Sequence, residues 1–221
     1  NMDYLQQSLA MALFDVGAVR FGAFRLKLHD SNPQAPLSPI YFNFRTPDNP
    51  KPGPLTPNNL GSIAGLFHAL CKKIPTPYRH VAGVPNAGDP LAVAFVRGAA
   101  PPLAFHLLTL NKQENPRRVV GILSGKFETH DPVLLIDDLV TRADSKIEAV
   151  DVLKKAGLQA KDILVIVDRE QGGREGLQKA GFELHSIFRI SELLDVYVAA
   201  GRIDENQRDS VLSYLNSVAN Q

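Results

Sequence analysis

The chain has 221 residues, 44% of them apolar, and 24 Lys and Arg against 23 Asp and Glu give a formal net charge of +1. This balance lacks the basic surplus typical of nucleic-acid binding, and no apolar run reaches the roughly 18 residues of a membrane span. We therefore expect neither nucleic acid nor membrane as a partner. Cys71 is the only cysteine and the opening residues lack the layout of a secretory signal, so a cytoplasmic setting is expected.

The N-terminal part of the chain is predicted to be irregular. Apolar residues at helical spacing predict a helix over residues 3–16, and alternating apolar and basic residues predict an exposed strand over 24–28. Eight prolines lie between residues 31 and 57. They predict a loop-rich hood with one short strand, at 38–45.

The remainder of the chain alternates short apolar runs with amphipathic stretches. Such alternation is typical of a parallel sheet covered by helices on both faces. The predicted core strands are 80–84, 103–108, 133–136, 162–167 and 183–188. The predicted helices are 58–73, one starting near Asp89, 145–157, 173–181, 191–200 and 204–219.

These elements predict an α/β protein: a parallel sheet flanked by helices, with an N-terminal hood and a C-terminal helical cap. We expect residues 1–60 to form the N-terminal helix, strand and hood, 61–190 the α/β core, and 191–221 the closing helices. The three parts are expected to make one compact domain.

Two adjacent carboxylates follow the apolar run 133–136. Asp137 and Asp138 stand at the carboxyl end of that strand, where open α/β sheets bind ligands. Residues 141–145 form a turn into a helix, whose N-terminus favours an anion. Two carboxylates beside an anion cradle predict a phosphorylated sugar as the ligand.

The segment VLLIDDLVTRADSK (133–146) resembles the phosphoribosyl pyrophosphate (PRPP) motif of type I phosphoribosyltransferases. In that family the two acids hold the ribose hydroxyls and the loop holds the 5′-phosphate. Residues 167–195, 13–27, 38–45 and 81–92 narrow the resemblance to orotate phosphoribosyltransferases, closest to the form fused in eukaryotic UMP synthases. Within that resemblance, residues 81–92 fit the turn that cradles pyrophosphate.

The resemblance implies a set of substrate-binding residues. Arg169 would face the carboxylate of orotate, for which a planar guanidinium fork is suited. Lys27 would reach into the active site, and Tyr41 and Phe42 would pack on the pyrimidine ring. The implied phosphate loop consists of Thr141, Arg142, Ala143, Asp144 and Ser145.

Each of these roles has a structural alternative. The paired acids also fit a solvated turn, and Arg169 also fits an ion pair with Asp168 or Glu170. The lysine fits an exposed edge strand and the two aromatic residues fit the core. Ser145 with Glu148 fits a capping box that serves only the helix.

The chain departs from the family in its cations. Orotate phosphoribosyltransferases stabilise the departing pyrophosphate with a run of Arg and Lys after the third core strand and with a lysine from a mobile loop. Here His106, Leu107 and Leu108 stand in place of the run, and we expect Lys112 to replace the catalytic lysine. The other candidate cations are Arg117 and Arg118.

The phosphate loop departs as well. The family usually has Gly at the place of Ala143 and a small or hydroxyl residue at the place of Asp144. A carboxylate facing the phosphate costs about 1 kcal/mol per charge pair at 4 Å in water. Alternatively, Asp144 points away and caps the helix.

The resemblance implies an enzyme that transfers ribose 5-phosphate from PRPP to orotate, giving orotidine monophosphate and pyrophosphate in pyrimidine nucleotide biosynthesis. It implies Mg²⁺ carried by PRPP without direct protein ligands, and a homodimer in which the loop near 109–118 acts across the interface. The alternative is a catalytically degenerate protein of the same fold that binds PRPP or a nucleotide as a sensor. Transfer to another base stays open, because the fold does not fix the acceptor.

Two other site types are not expected. The segment GILSGKF (121–127) is one residue short of P-loop spacing and has no hydroxyl residue after Lys126. The six histidines show no paired ligand spacing, so a structural zinc site is not predicted.

Overall fold

The elements below come from a computed structural model, which describes residues 2–26, 28–101, 103–114 and 117–219. The strands are β1 (Val19–Phe24), β2 (Ser38–Phe42), β3 (His80–Gly83), β4 (His106–Glu114), β5 (Arg117–Ser124), β6 (Pro132–Val140), β7 (Gln159–Asp168) and β8 (Glu183–Arg189). The helices are α1 (Tyr4–Asp15), α2 (Leu28–Ser31), α3 (Pro57–Cys71), α4 (Gly88–Arg97), α5 (Asp144–Lys155), α6 (Gly173–Lys179), α7 (Ile190–Ala199) and α8 (Glu205–Ala219).

The main sheet has six strands in the order β5-β4-β3-β6-β7-β8. Strands β4, β3, β6, β7 and β8 pair in parallel, and β5 is antiparallel to β4 at one edge. The four apolar residues 133–136 of β6 are fully buried, because the strand is central and covered on both faces. The predicted α/β architecture with a parallel sheet is confirmed.

The first strand of the chain lies earlier than predicted. β1 ends at Phe24 and pairs antiparallel with β2, with Val19 opposite Phe42. Nδ1 of His29 accepts a hydrogen bond from the Leu26 N–H at 2.8 Å, and the chain then enters the short helix α2. The expected strand over 24–28 was therefore wrong, because the N–H group of Leu26 is hydrogen-bonded within a local turn instead of to a neighbouring strand.

The predicted loop near 109–118 is instead largely an antiparallel hairpin. β4 continues to Glu114 and β5 starts at Arg117, with Lys112 opposite Val119 and Gln113 opposite Arg118. β5 was not predicted, although residues 119–123 read VVGIL; the strand lies at the edge of the sheet, where Val120 and Leu123 are exposed. The hairpin brings basic residues of both strands to one end of the sheet.

The C-terminal helices form the predicted cap, within one residue of the expected bounds. The buried hydroxyl of Tyr197 on α7 donates to the carbonyl of Ala10 on α1 at 3.0 Å. Helix α8 packs against hood strand β2. In the described part of the chain, no helix has both the length and the apolar character needed to cross a bilayer.

Candidate active site

A cleft of about 570 Å³ opens at the carboxyl ends of β3 and β6, the predicted position of the site. Four parts of the chain surround it: the hood, the turn after β3, the β4–β5 hairpin, and the end of β6 with the start of α5. Its charged lining residues are Arg45, Lys51, Lys112, Arg118, Asp137, Asp138, Lys146 and Glu148.

The two predicted acids lie side by side but have unequal surroundings. Asp137 is 4% exposed; its Oδ1 accepts from the Asp138 N–H at 2.8 Å and its Oδ2 lies 2.7 Å from the Lys146 ammonium. Asp138 is only partly buried, and its Oδ1 accepts from the Leu139 N–H at 2.8 Å. Asp138 is thus the more accessible carboxylate, and the solvated-turn alternative does not describe Asp137.

Burial and like charge raise the pKa of two carboxyls at this end of the sheet. The pKa of Asp138 is raised to about 7, mainly by desolvation and then by Asp137, while Lys146 and Arg45 act in the opposite sense. The pKa of Asp89, in the first turn of α4, is raised to about 6 by desolvation and by Asp137. Carboxyls that titrate near neutrality are typical of functional sites.

The predicted phosphate loop lies between β6 and α5. Arg142 is exposed, Ala143 is buried, and Ala143 already has helical dihedrals, so α5 begins at Asp144. Neither Asp144 nor Ser145 therefore holds the N-cap position, and the capping interpretations were wrong. The side chains of Asp144 and Ser145 lie outside the described part of the structure.

The turn between β3 and α4 closely approaches β6. A Cβ atom at Gly88 would overlap the carbonyl oxygen of Ile136, and one at Gly83 would lie 2.6 Å from the Gly88 carbonyl. The Val84 N–H donates to the Ile136 carbonyl at 2.8 Å. Glycine at 83 and 88 thus brings the N-terminus of α4 next to the acids on β6.

Two polar side chains hold this turn from opposite sides of the cleft. Lys112 donates to the Pro85 carbonyl at 2.8 Å, and Asn49 of the hood donates to the Asn86 carbonyl at 3.1 Å. Lys112 therefore lies in the cleft, and its catalytic role stays a prediction. Leu108, in the place of the family's basic run, is fully buried in the core.

Several cleft residues were not predicted from the sequence. They are Arg45 and Lys51 of the hood and Lys146 of α5. Only Lys146 had a usable signal, because residues 149, 150 and 153 on its helix face are apolar and fully buried. A lysine on a buried helix face needs a partner, which here is Asp137.

Arg169 lies at the end of β7, against the hood. Its guanidinium carbon is 5.8 Å from the centre of the Phe42 ring, and burial lowers the pKa of the guanidinium. The expected alternative of an ion pair is absent: Asp168 pairs with Arg174 at 2.9 Å, and Glu170 accepts from the Ser191 N–H.

Three polar atoms near Arg169 are buried without a hydrogen-bond partner among the described residues. They are Nε of Arg169, Oε1 of Gln171 and Oη of Tyr214. Gln171 contacts α8 through the Leu215 carbonyl at 3.4 Å. Because buried polar groups are nearly always hydrogen-bonded, such a group of atoms indicates a polar ligand.

The two predicted aromatic residues lie on opposite faces of β2 and have different neighbours. Phe42 contacts Arg169 and lies 5.4 Å from Phe44, whereas Tyr41 lies 5.1 Å from the guanidinium carbon of Arg20. Successive residues of a strand point to opposite faces, so only Phe42 faces Arg169. Lys27 lies outside the described residues, and its predicted role stays a prediction.

No set of three or more His, Cys, Asp or Glu side chains in the described ranges is arranged to hold a metal ion.

The sheet, the paired acids at its carboxyl edge and the phosphate loop together define the type I phosphoribosyltransferase fold.

The comparisons with known proteins agree with this class. No family model matches the chain. The chain is 30% identical over 218 residues to the uridine 5′-monophosphate synthase of Bos taurus, covering 98% of this chain and 42% of that protein. It is 30% identical over 187 residues to the orotate phosphoribosyltransferase of Halobacterium salinarum, covering 85% of this chain and 95% of that protein.

Solved structures show the same relationship. The structure of Leishmania donovani UMP synthase matches 96% of this chain and 42% of that chain with a TM-score of 0.76 and 27% identity. This chain thus spans about two fifths of the length of the UMP synthases that it matches. The chain belongs to the orotate phosphoribosyltransferase family.

Proposed function

We propose that the chain transfers ribose 5-phosphate from PRPP to orotate, giving orotidine monophosphate and pyrophosphate in pyrimidine nucleotide biosynthesis. The observation that carries this proposal is the placement of Asp137 and Asp138 beside the start of α5 at the carboxyl edge of the sheet. Nε of Arg169, which is buried without a hydrogen-bond partner among the described residues, lies in a guanidinium that faces Phe42 and supports orotate as the acceptor.

The sugar phosphate would bind across the end of β6. Asp138, when ionised, accepts hydrogen bonds from the ribose hydroxyls, and the loop with the N-terminus of α5 binds the 5′-phosphate. The N-terminus of α5 lies directly after the strand that carries both acids. One end of PRPP is thereby fixed relative to C1′, where the bond breaks.

The leaving pyrophosphate needs positive charge around it. The reaction develops an oxocarbenium-like sugar while the bond from C1′ to pyrophosphate breaks, and fixed cations stabilise the departing polyanion. Arg45, Lys51, Lys112 and Arg118 line the cleft on the hood and hairpin sides. We propose that these residues replace the family's basic run.

Orotate would bind between Phe42 and Arg169. The guanidinium fork matches a carboxylate, and the ring face of Phe42 suits a planar pyrimidine. Orotate also offers ring oxygens and an N–H group to the buried atoms of Gln171 and Tyr214, which have no partners among the described side chains. The nucleophilic ring nitrogen would then be directed toward the sugar.

We propose that Mg²⁺ enters with PRPP and is held by oxygens of that substrate. The donor set fits this arrangement, because the oxygens of Asp137 are engaged by a backbone N–H and by Lys146. The chemistry that Mg²⁺ supplies when bound is partial neutralisation of the pyrophosphate.

The assembly and setting are part of the same proposal. We propose a homodimer in which the segment near 109–118 acts across the interface, and a cytoplasmic setting that suits a chain with one cysteine. Light scattering on the purified chain tests the dimer: a monomer at assay concentrations would contradict it.

The decisive test is a product assay with orotate, PRPP and Mg²⁺, followed by the loss of orotate absorbance and by chromatography of orotidine monophosphate. Wild type should form product and Asp138→Asn should not. If PRPP binds by calorimetry while no product forms with orotate, the sensor function replaces transfer. Product with another base instead would correct the acceptor.

A further inference from the structure

The start of helix α5 carries a buried lysine. Nζ of Lys146 lies 2.7 Å from Oδ2 of Asp137 and donates to the Leu139 carbonyl at 2.7 Å. The side chains of Lys146 and Asp137 are each only 6% exposed. One ammonium therefore contacts both the first acid of the pair and the backbone that leads into the phosphate loop.

These contacts span the loop. Asp137 and Leu139 belong to the end of β6, whereas Lys146 lies in the first turn of α5. The loop residues 141–143 lie between these two attachment points, so the lysine ties the strand end to the helix start directly. The distance between the two ends of the loop is thereby fixed.

The two acids then differ in what they can offer a ligand. The carboxylate of Asp137 is buried and receives one hydrogen bond on each oxygen. Asp138 is more accessible and has no comparably close cation among the described residues. The charges that bear on its carboxyl are Asp137 on the same strand, Lys146 on α5 and Arg45 of the hood.

We propose that Lys146 is a positioning residue of the sugar-phosphate site: it fixes Asp137 and the phosphate loop and leaves Asp138 as the carboxylate that receives the ribose. This inference rests on the proposed function. Lys146 acts through its two contacts and does not touch the substrate. Asp137 and Asp138, which the motif presents as equivalent, have different roles in this chain.

The test compares Lys146→Met with wild type by calorimetric titration of PRPP in the presence of Mg²⁺ from pH 6 to 9. The variant should bind PRPP about tenfold more weakly, which is within the range of coupling between contacting residues. Because the ammonium lowers the pKa of Asp138, the pH at which affinity is half-maximal should be higher in the variant. The matched control is Lys155→Met, an exposed position on the last turn of the same helix.

A second variant keeps the test valid if Lys146→Met folds poorly. Asp137→Asn/Lys146→Met removes both buried charges together and should be the better folded of the two. Its loss of PRPP affinity should be smaller than the sum of the losses in Asp137→Asn and Lys146→Met, because the two side chains act as one pair. Additive losses in the double variant would overturn the inference.

Two further outcomes separate this inference from the function on which it rests. Equal PRPP affinity and equal pH dependence in wild type and Lys146→Met, with only a lower melting temperature, would make the lysine purely structural and overturn the inference. If wild type does not bind PRPP at all, the proposed function itself fails. In that case a carbon NMR titration of Asp138, unchanged by Lys146→Met, would separately remove the link between these side chains.

Discussion

The guanidinium of Arg169 and the ring of Phe42 face each other at 5.8 Å, joining the end of core strand β7 to hood strand β2. Both side chains are largely buried, and Nε of the guanidinium has no hydrogen-bond partner among the described residues. A cation over an aromatic face is favourable, but it does not satisfy the N–H group on Nε. A planar anion at this point would satisfy it.

Arg169→Lys should weaken orotate binding selectively. Lysine keeps the charge and loses the planar fork, and a lost hydrogen bond to a charged group costs about 1.5 to 3 kcal/mol, or roughly ten- to a hundredfold in affinity. Affinity for PRPP should stay unchanged, since none of its proposed ligands lies on β7. Arg189→Lys, at an exposed position of β8, is the control. Calorimetric titration of orotate decides, and undisturbed binding to Arg169→Ala would rule out this subsite.

PRPP affinity should fall as the pH drops from 8 to 6. The pKa of Asp138 is raised to about 7, so its carboxyl is increasingly protonated over this interval and becomes a poorer acceptor for ribose hydroxyls. Asp138→Asn should bind more weakly at pH 8 and show a flatter dependence on pH. Dissociation constants measured at three pH values test this, and a wild-type affinity that rises on acidification would contradict it.

The same residue should limit stability at high pH. The pKa of Asp138 in the folded chain is above its ordinary value, so its contribution to stability is present at low pH and is lost as the pH rises toward 7. The shift from the ordinary value to about 7 disfavours the ionised carboxyl at pH 8, so Asp138→Asn should melt several degrees higher than wild type there. At pH 4 the difference should shrink, which thermal melts at both pH values can check.

Lys112→Ala should lower turnover more than PRPP affinity. Lys112 contacts the Pro85 carbonyl in the turn that we propose faces the leaving group, so its charge should matter most when pyrophosphate departs. We expect kcat to fall by about tenfold or more, in line with the loss of one fixed electrostatic contact. Lys161→Ala, exposed on β7, should leave kcat unchanged. A pure KM effect in Lys112→Ala would assign the lysine to ground-state binding.

Gly88→Ala should destabilise the chain, and Gly65→Ala should not. The added Cβ at 88 overlaps the Ile136 carbonyl, whereas the one at 65 meets nothing within 4 Å on helix α3. Overpacking of this kind costs about 1 to 3 kcal/mol, and replacing a helical glycine by alanine stabilises by roughly 0.5 to 1 kcal/mol. Urea unfolding of both variants gives the two free energies. Equal values would show that the turn can move away from β6.

The sequence predicted the elements whose burial is uniform. The continuous apolar runs of β6 and β7 occur because both faces of these strands are covered, and no alternative structure buries such runs as well. Strand β5 was missed because its residues alternate between a covered and an exposed face, with Val120 and Leu123 exposed. The strand over 24–28 was a misplaced prediction, since alternation alone does not reveal the turn that His29 makes with Leu26.

The site residues that lie on one strand could be predicted from the sequence. The site residues that distant segments bring into the cleft could not. Asp137 and Asp138 could be predicted because they come directly after the apolar run of β6, and Lys112 was predicted from the resemblance. Arg45 and Lys51 reach the cleft only because the hood folds over the turn after β3, a contact between distant segments that no local pattern encodes. Lys146 was readable as a charged residue on an apolar helix face, although its partner was not.

The proposed acceptor pocket depends on the packing of helix α8 against the hood. Hood strands β1 and β2 form only a two-stranded sheet, which is marginal by itself in water. Helix α8 packs on β2, and it contributes Tyr214 and the Leu215 carbonyl near Arg169 and Gln171. The proposed base-binding side of the cleft therefore depends on the packing of α8 on the hood, whereas the proposed sugar-phosphate side lies on β6 of the central sheet. Loosening of α8 should therefore weaken orotate binding more than PRPP binding, and we expect acceptor selectivity to be the property most sensitive to substitutions in this helix.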